Sequence, residues 1–330
     1  MMLVQSSRLL FSGLSPRGSR AKLTILIFHR VLAEADPMQG DEATAASFDW
    51  QMRLLAENAN VLPLDEAVER LSTGTLPARA VAITFDDGYA DNHDVALPIL
   101  RRHGLHATFF IASGYLDGGW MFNDTVRESL RHAPNGELDL TDLELGLFTL
   151  KDTPLSRARA FGNIMRGLKY MEPERRADAA DAIAERTGLP AGLGSPMMTS
   201  DQLLAMRRAG MGIGAHTVTH PILSRVTDRQ ARDEIGGSRE RLEALLGERV
   251  SLFAYPNGKP GVDYTSTHTA MVREAGFSVA VSTSWGAAPR GASPYELPRF
   301  TPWDQSRARY LVRLARNTLQ PFNTAPAMGH

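Results

Sequence analysis

The chain contains no cysteine in its 330 residues. That excludes disulfides, thiolate nucleophiles and every thiolate metal site, so any bound metal must sit on His, Asp or Glu. Nor is there an apolar run near the ~20 residues that a membrane helix needs, so no span is expected. Net charge is nearly absent, since 36 Lys and Arg against 37 Asp and Glu leave -1. With no basic tract long enough to follow a phosphate backbone, nucleic acid is not an expected partner. What is present is 43% hydrophobic and 22% charged, the balance of a folded chain. Its length points to one large α/β barrel or two domains.

Residues 1–22 carry Arg8, Arg17, Arg20 and Lys22 around Leu9, Leu10 and Phe11. They lack the apolar core and small-residue cleavage site of an export signal. They read as a non-secretory, frayed tail on a cytoplasmic protein, with peripheral membrane contact as the alternative. Short β-rich runs then alternate with helical periodicity. Strands are predicted at Leu23–Phe28, Ala80–Phe85, Ala107–Ala112, Gly212–Ala215, Ser251–Tyr255 and Phe277–Ser282. Helices are predicted at Ala46–Ala59, Asp65–Ser72, Asn92–His103, Ser200–Ala209, Asp228–Leu246 and Thr267–Ala275. Capping boxes, Thr199 with Gln202 and Thr227 with Gln230, mark two of the helix starts. Strand alternating with helix implies parallel pairing through right-handed crossovers, in a barrel or a doubly wound sheet. In either, polar chemistry belongs at the strands' C-terminal ends. From about 120 to 196 the alternation breaks into acidic, Arg-rich and Ala-rich helical character. This stretch reads as a helical insertion, more simply a packing excursion than a substrate lid.

Two constellations sit at such strand ends. Thr84-Phe85-Asp86-Asp87-Gly88 places adjacent carboxylates where like charges raise a pKa unless a cation intervenes. A solvated turn with a capping Asp would suit one aspartate better than two. Gly214-Ala215-His216-Thr217-Val218-Thr219-His220-Pro221 spaces two imidazoles four apart, with Thr217 where a zincin motif would carry Glu. Two His and one Asp would give three protein ligands and an open coordination position. Beside a carboxylate that is not a ligand, that is the apparatus of amide or ester hydrolysis. The same donor types also suit a non-haem iron oxygenase, which leaves the extra aspartate idle.

These two motifs, with Ala107-Thr108-Phe109-Phe110 between them, resemble the polysaccharide deacetylase family, the NodB-homology domains of carbohydrate esterase family 4. The resemblance covers roughly Leu23 to Arg299. It implies a (β/α) barrel related to the TIM barrel, distorted with fewer than eight strands. It implies Asp86 as general base, and Asp87, His216 and His220 as ligands of a divalent ion, commonly zinc. Phe253-Ala254-Tyr255-Pro256-Asn257-Gly258 resembles the family's third motif, which makes the amide of Asn257 an oxyanion donor. The arginine that many members carry there is absent. Arg299 is the candidate replacement, to hold Asp86 ionised, against a surface salt bridge as the plainer role. The family's terminal strand ending in a catalytic His is missing from the C-terminal region. Leu23–His29 has that character, so a circularly permuted order would make His29 the general acid.

Residues 23–303 are therefore expected to form the catalytic domain, and 304–330 a helix and tail. The expected substrate is an N-acetylated sugar of a polysaccharide, glycolipid or exopolysaccharide intermediate. A relative acting on cyclic ureides and a silent glycan-binding module are the alternatives. His93, His103, His106 and His268 read as surface or packing residues with no carboxylate partner. Trp120, Trp285 and Trp303 read as core fillers before sugar platforms.

Overall fold

The computed structural model describes residues 13–302, 304 and 306–320. Six parallel strands form its centre: β1 (Lys22–Phe28), β2 (Ala80–Phe85), β3 (Thr108–Ile111), β4 (Gly212–Ala215), β5 (Leu252–Ala254) and β6 (Val279–Val281). They pair in the order β6-β5-β4-β3-β2-β1. In β2 every side chain is buried, as a parallel strand covered on both faces requires. The sheet curls until its outer strands share one partner. Leu297 pairs with Val281 and Phe300 pairs with Leu26. The Phe300 amide donates to Ile25 at 2.8 Å and the Leu297 amide to Ala280 at 3.0 Å. The segment Leu297–Phe300 is thus an irregular closing stave. The architecture is a distorted (β/α) barrel, as the sequence implied, but the count of fewer than eight strands holds only for the long parallel strands: the two-residue edge strands Asn60–Val61 and Ala288–Pro289 bring the sheet to eight.

Helices surround the sheet: α1 (Ala45–Asn58), α2 (Leu64–Thr73), α3 (Leu97–Arg102), α7 (Ser200–Arg208), α8 (Asp228–Leu246), α9 (Ser266–Glu274) and α10 (Arg307–Leu319), with α4 to α6 in the insertion. Helix α1 buries Phe48, Met52 and Leu55 at helical spacing on the core side. Both expected capping boxes are present at α7 and α8. Two more, Thr44 with Ser47 and Thr265 with His268, were not read from the sequence. The helix predicted from Asn92 begins instead as a π turn over Asn92–Ala96. Pro98, which has no N–H to give, stands in the first turn of α3 that follows.

The insertion is less helical than its composition suggested. Between α4 (Phe122–His132) and the pair α5 (Pro154–Leu168) and α6 (Pro173–Thr187), Gly136–Leu140 and Gly146–Leu150 form an antiparallel hairpin. Val126, Leu130, Leu138, Leu140, Leu150, Ile164, Leu168 and Ile183 give it an apolar cluster of its own. The described part of the leading segment is docked, not frayed: Ser15 and Ala21 are buried, and the Gly18 amide donates to Leu76. Arg8 and the Leu9–Phe11 cluster lie outside the described residues, as do Trp303 and residues 321–330. Among the described residues no helix is long and apolar enough to cross a membrane.

Candidate active site

Strand β2 delivers the aspartate pair. Thr84 Oγ1 donates to Leu26 O at 2.7 Å and the Asp86 amide to Phe28 O at 2.9 Å, which locks the strand end against β1. Asp86 is 2% exposed, and both of its oxygens are gripped by the Arg299 guanidinium at 2.6 and 2.7 Å. Arg299, 1% exposed, also donates from Nε to Ser282 O at 2.9 Å. It is therefore a buried fork on Asp86, and the surface salt bridge is excluded. Burial alone would raise the Asp86 carboxyl, but the Arg299 charge, helped by His216, overrides it and holds the pKa at about 2. Each oxygen keeps a second lone pair beyond the fork.

Asp87 turns the other way because its backbone is left-handed, with φ +76°. Its Oδ1 is buried and accepts no hydrogen bond. Facing it are His216 Nε2 at 3.5 Å and His220 Nε2 at 3.4 Å, and the two nitrogens are 3.1 Å apart. His216 Nδ1 lies 2.7 Å from Ala254 O, so that nitrogen carries the proton and Nε2 carries a lone pair. Burial, with the Arg176 charge, drives the His220 pKa down to about 4 despite Asp87, leaving a neutral ring at physiological pH. Three electron-rich atoms converge with nothing between them to share, an arrangement that a divalent cation satisfies.

The loop holding both imidazoles is strained and clamped. Thr217 and His220 adopt φ +65° and +56°. Glu234 of α8 accepts from the Val218 and Thr219 amides, each at 2.8 Å, and from Thr219 Oγ1 at 2.6 Å. The Gly114 amide donates to Val218 O at 2.7 Å; a Cβ there would sit 2.6 Å from that oxygen, so only glycine fits. Sequence reading missed Glu234 and Gly114, because neither shares a motif with what it supports.

His29, at the end of β1, and Asn257 line the same cavity of about 330 Å³ as Asp87 and His220. Asn257 has φ +56°, and among the described residues its N–H finds no acceptor. Burial pulls the His29 pKa down, but Asp87, Asp86 and Glu42 together push it up past its ordinary value. The other described histidines lie elsewhere. Of the four expected to lack carboxylate partners, two do have them, His93 with Asp94 at 2.8 Å and His103 with Asp49 at 3.0 Å. His268 serves the α9 capping box. Trp285 is 42% exposed and so no core filler.

The polysaccharide deacetylase family model matches residues 73–134 and 177–280, half of the chain. The chain belongs to the polysaccharide deacetylase family. As in that family, it is a hydrolase. The matched segments hold Asp86, Asp87, His216, His220 and Asn257, and the gap between them falls within the insertion. YxkH of Bacillus subtilis, a curated relative that carries a polysaccharide deacetylase name, is 22% identical over 281 residues, covering 84% of this chain and 71% of its own. Among solved structures, the Streptococcus pyogenes deacetylase PplD has a TM-score of 0.59 at 20% identity, covering 91% of this chain and 99% of its own. IcaB of Ammonifex degensii gives 0.58 at 18%, covering 93% and 99%. At these identities the two structures speak for the shared deacetylase fold.

Proposed function

We propose that this member of the polysaccharide deacetylase family removes acetyl groups from N-acetylated sugars of a polysaccharide, glycolipid or exopolysaccharide intermediate. Asp87, His216 and His220 would hold a divalent ion, with zinc the best match to two imidazoles and one carboxylate. When bound, the ion would supply a Lewis acid that acidifies water and polarises the acetyl carbonyl. Asp86, kept ionised by Arg299, takes the proton of the attacking water. The free N–H of Asn257 donates to the oxyanion that develops on the acetyl oxygen. His29 then gives its proton to the departing amine nitrogen.

The observation that carries this reading is the orphaned Asp87 Oδ1 facing two imidazole nitrogens, beside a second aspartate anchored independently by Arg299. An iron oxygenase would have no use for that second aspartate. The test is metal analysis of the purified chain combined with acetate release from N-acetylhexosamine oligomers. Asp86→Asn is expected to keep the metal and lose turnover by about 10²–10⁴-fold. An Asp86→Asn variant that deacetylates at the wild-type rate would overturn the assignment.

A further inference from the structure

The cavity that contains His29, Asp87 and His220 has a wall of unusual charge, most of it built by the insertion. Arg30, Arg127, Lys169 and Arg176 line it, against Glu42 and Asp87. Arg30 is neutralised by Asp91 at 2.8 Å and Arg127 by Asp124 at 2.6 Å. Among the described residues neither Lys169 nor Arg176 has a carboxylate partner; their contacts are with rings. Lys169 Nζ lies 5.4 Å from the Tyr170 centroid and Arg176 stacks 4.2 Å over Phe122.

Arg176 is the sharper case. It is 6% exposed, so its guanidinium has lost most of its water without gaining an anion. It also stands in the first turn of α6, where the helix dipole adds positive potential. Burial accordingly pushes its pKa down, and its charge is felt at His220 across the cavity. A planar fork held this way is half of a bidentate oxyanion site. An N-acetylhexosamine has no charge of its own to offer it.

We infer that Arg176, assisted by Lys169, binds an anionic substituent of the substrate, selecting N-acetylated glycans with a carboxylate or phosphoryl group on or next to the sugar that is deacetylated. This rests on the deacetylase reading but is tested separately from it. Binding to metal-free protein is measured by calorimetry for three probes: chitotetraose, a tetrasaccharide alternating N-acetylglucosamine with glucuronate, and N-acetylglucosamine 1-phosphate. At least one anionic probe is expected to bind about tenfold or more tightly than chitotetraose. Which one does so separates carboxylate from phosphoryl. Arg176→Gln should erase that ratio, Arg176→Lys should restore part of it, and Lys169→Ala should reduce it.

Urea unfolding supplies a readout independent of ligand. An arginine kept for binding leaves Arg176→Gln as stable as the parent or more so, whereas a packing arginine leaves it less stable. Equal affinities for neutral and anionic probes, or an anionic preference that survives in Arg176→Gln, overturns the inference. Acetate release by the zinc-loaded enzyme is assayed alongside. If no probe is deacetylated yet the anionic preference depends on Arg176, the deacetylase reading falls and the anion site stands. If chitotetraose is both bound and deacetylated as well as the anionic probes, the reverse holds.

Discussion

Replacing Arg299 by methionine leaves a buried carboxylate without its chief counter-charge. Asp86 titrates at about 2 instead of 3.8 although it is buried, and the guanidinium is the chief reason. At roughly 1.4 kcal/mol per pH unit, that depression alone contributes about 2.5 kcal/mol to folding at neutral pH. Because the folded pKa lies below the unfolded one, the contribution is complete above pH 3.8 and is lost as the pH falls toward 2. The variant also strands a buried charge, for which breaking a buried pair costs about 3–5 kcal/mol. Arg299→Met is therefore expected to lower stability by about 3–5 kcal/mol at pH 7, read from urea midpoints. Acidification should relieve part of that loss, because the stranded carboxyl takes up a proton.

Activity should respond in the same direction. In the parent Asp86 is ionised throughout any assay between pH 5 and 9 and sets no limb there. In Arg299→Met burial raises its pKa, so acetate release should fall on the acid side and recover on the alkaline side. A variant that loses less than about 1 kcal/mol and keeps the parent pH profile would show that Arg299 neither holds Asp86 down nor aims it.

Chelation should abolish acetate release and lower the melting temperature, since a ligand bound only by the folded state stabilises it; zinc should restore both, and unchanged activity in the chelated protein would remove the ion from the mechanism. Glu234→Ala should weaken metal affinity by about 10–100-fold in a chelator competition, as loss of an outer partner of a ligand loop does; an unchanged affinity would mean the loop holds its shape without the clamp. Gly114→Ala should do the same through the clash with Val218 O and cost about 1–3 kcal/mol, read by urea unfolding. Asp36, held at about 2 by hydrogen bonds from Arg131, Gln39 and the Met38 amide against a burial penalty, ties the loop after β1 to α4. Asp36→Ala should cost about 1–2 kcal/mol above pH 4 and only a small part of that at pH 2, where the folded carboxyl is half protonated; an equal cost at both values would trace the effect to something other than its charge.

The chain announced its strands well because parallel strands buried on both faces are continuous apolar runs. Ala80–Phe85 and Gly212–Ala215 end where their apolar residues end, just before Asp86 and His216. The carboxylate pair and the imidazole pair were legible for the same reason, each being contiguous and placed at a strand end. Arg299 and His29 were harder, because both lie outside the family-matched segments; Arg299 meets the site only through barrel closure, which joins it to Asp86 over 200 positions away, and His29 arrives on β1 beside β2. The hairpin at 136–150 was misread as helix. In its first strand Glu137-Leu138-Asp139-Leu140 alternates at period two, but the surrounding charge density resembles a solvated helix face. Glu234 and the Arg176 wall left no signal at all, since a lone charge on an amphipathic helix looks like any other solvent-facing residue.

Barrel closure also imposes a timetable on synthesis. A ribosome delivers Asp87, His216 and His220, the proposed ligands, before Arg299 is translated, so an unfinished polypeptide lacks the guanidinium that keeps Asp86 charged. On the proposed mechanism the last stave both shuts the cylinder and charges the proposed base, which would make completion of the fold and onset of hydrolysis a single event.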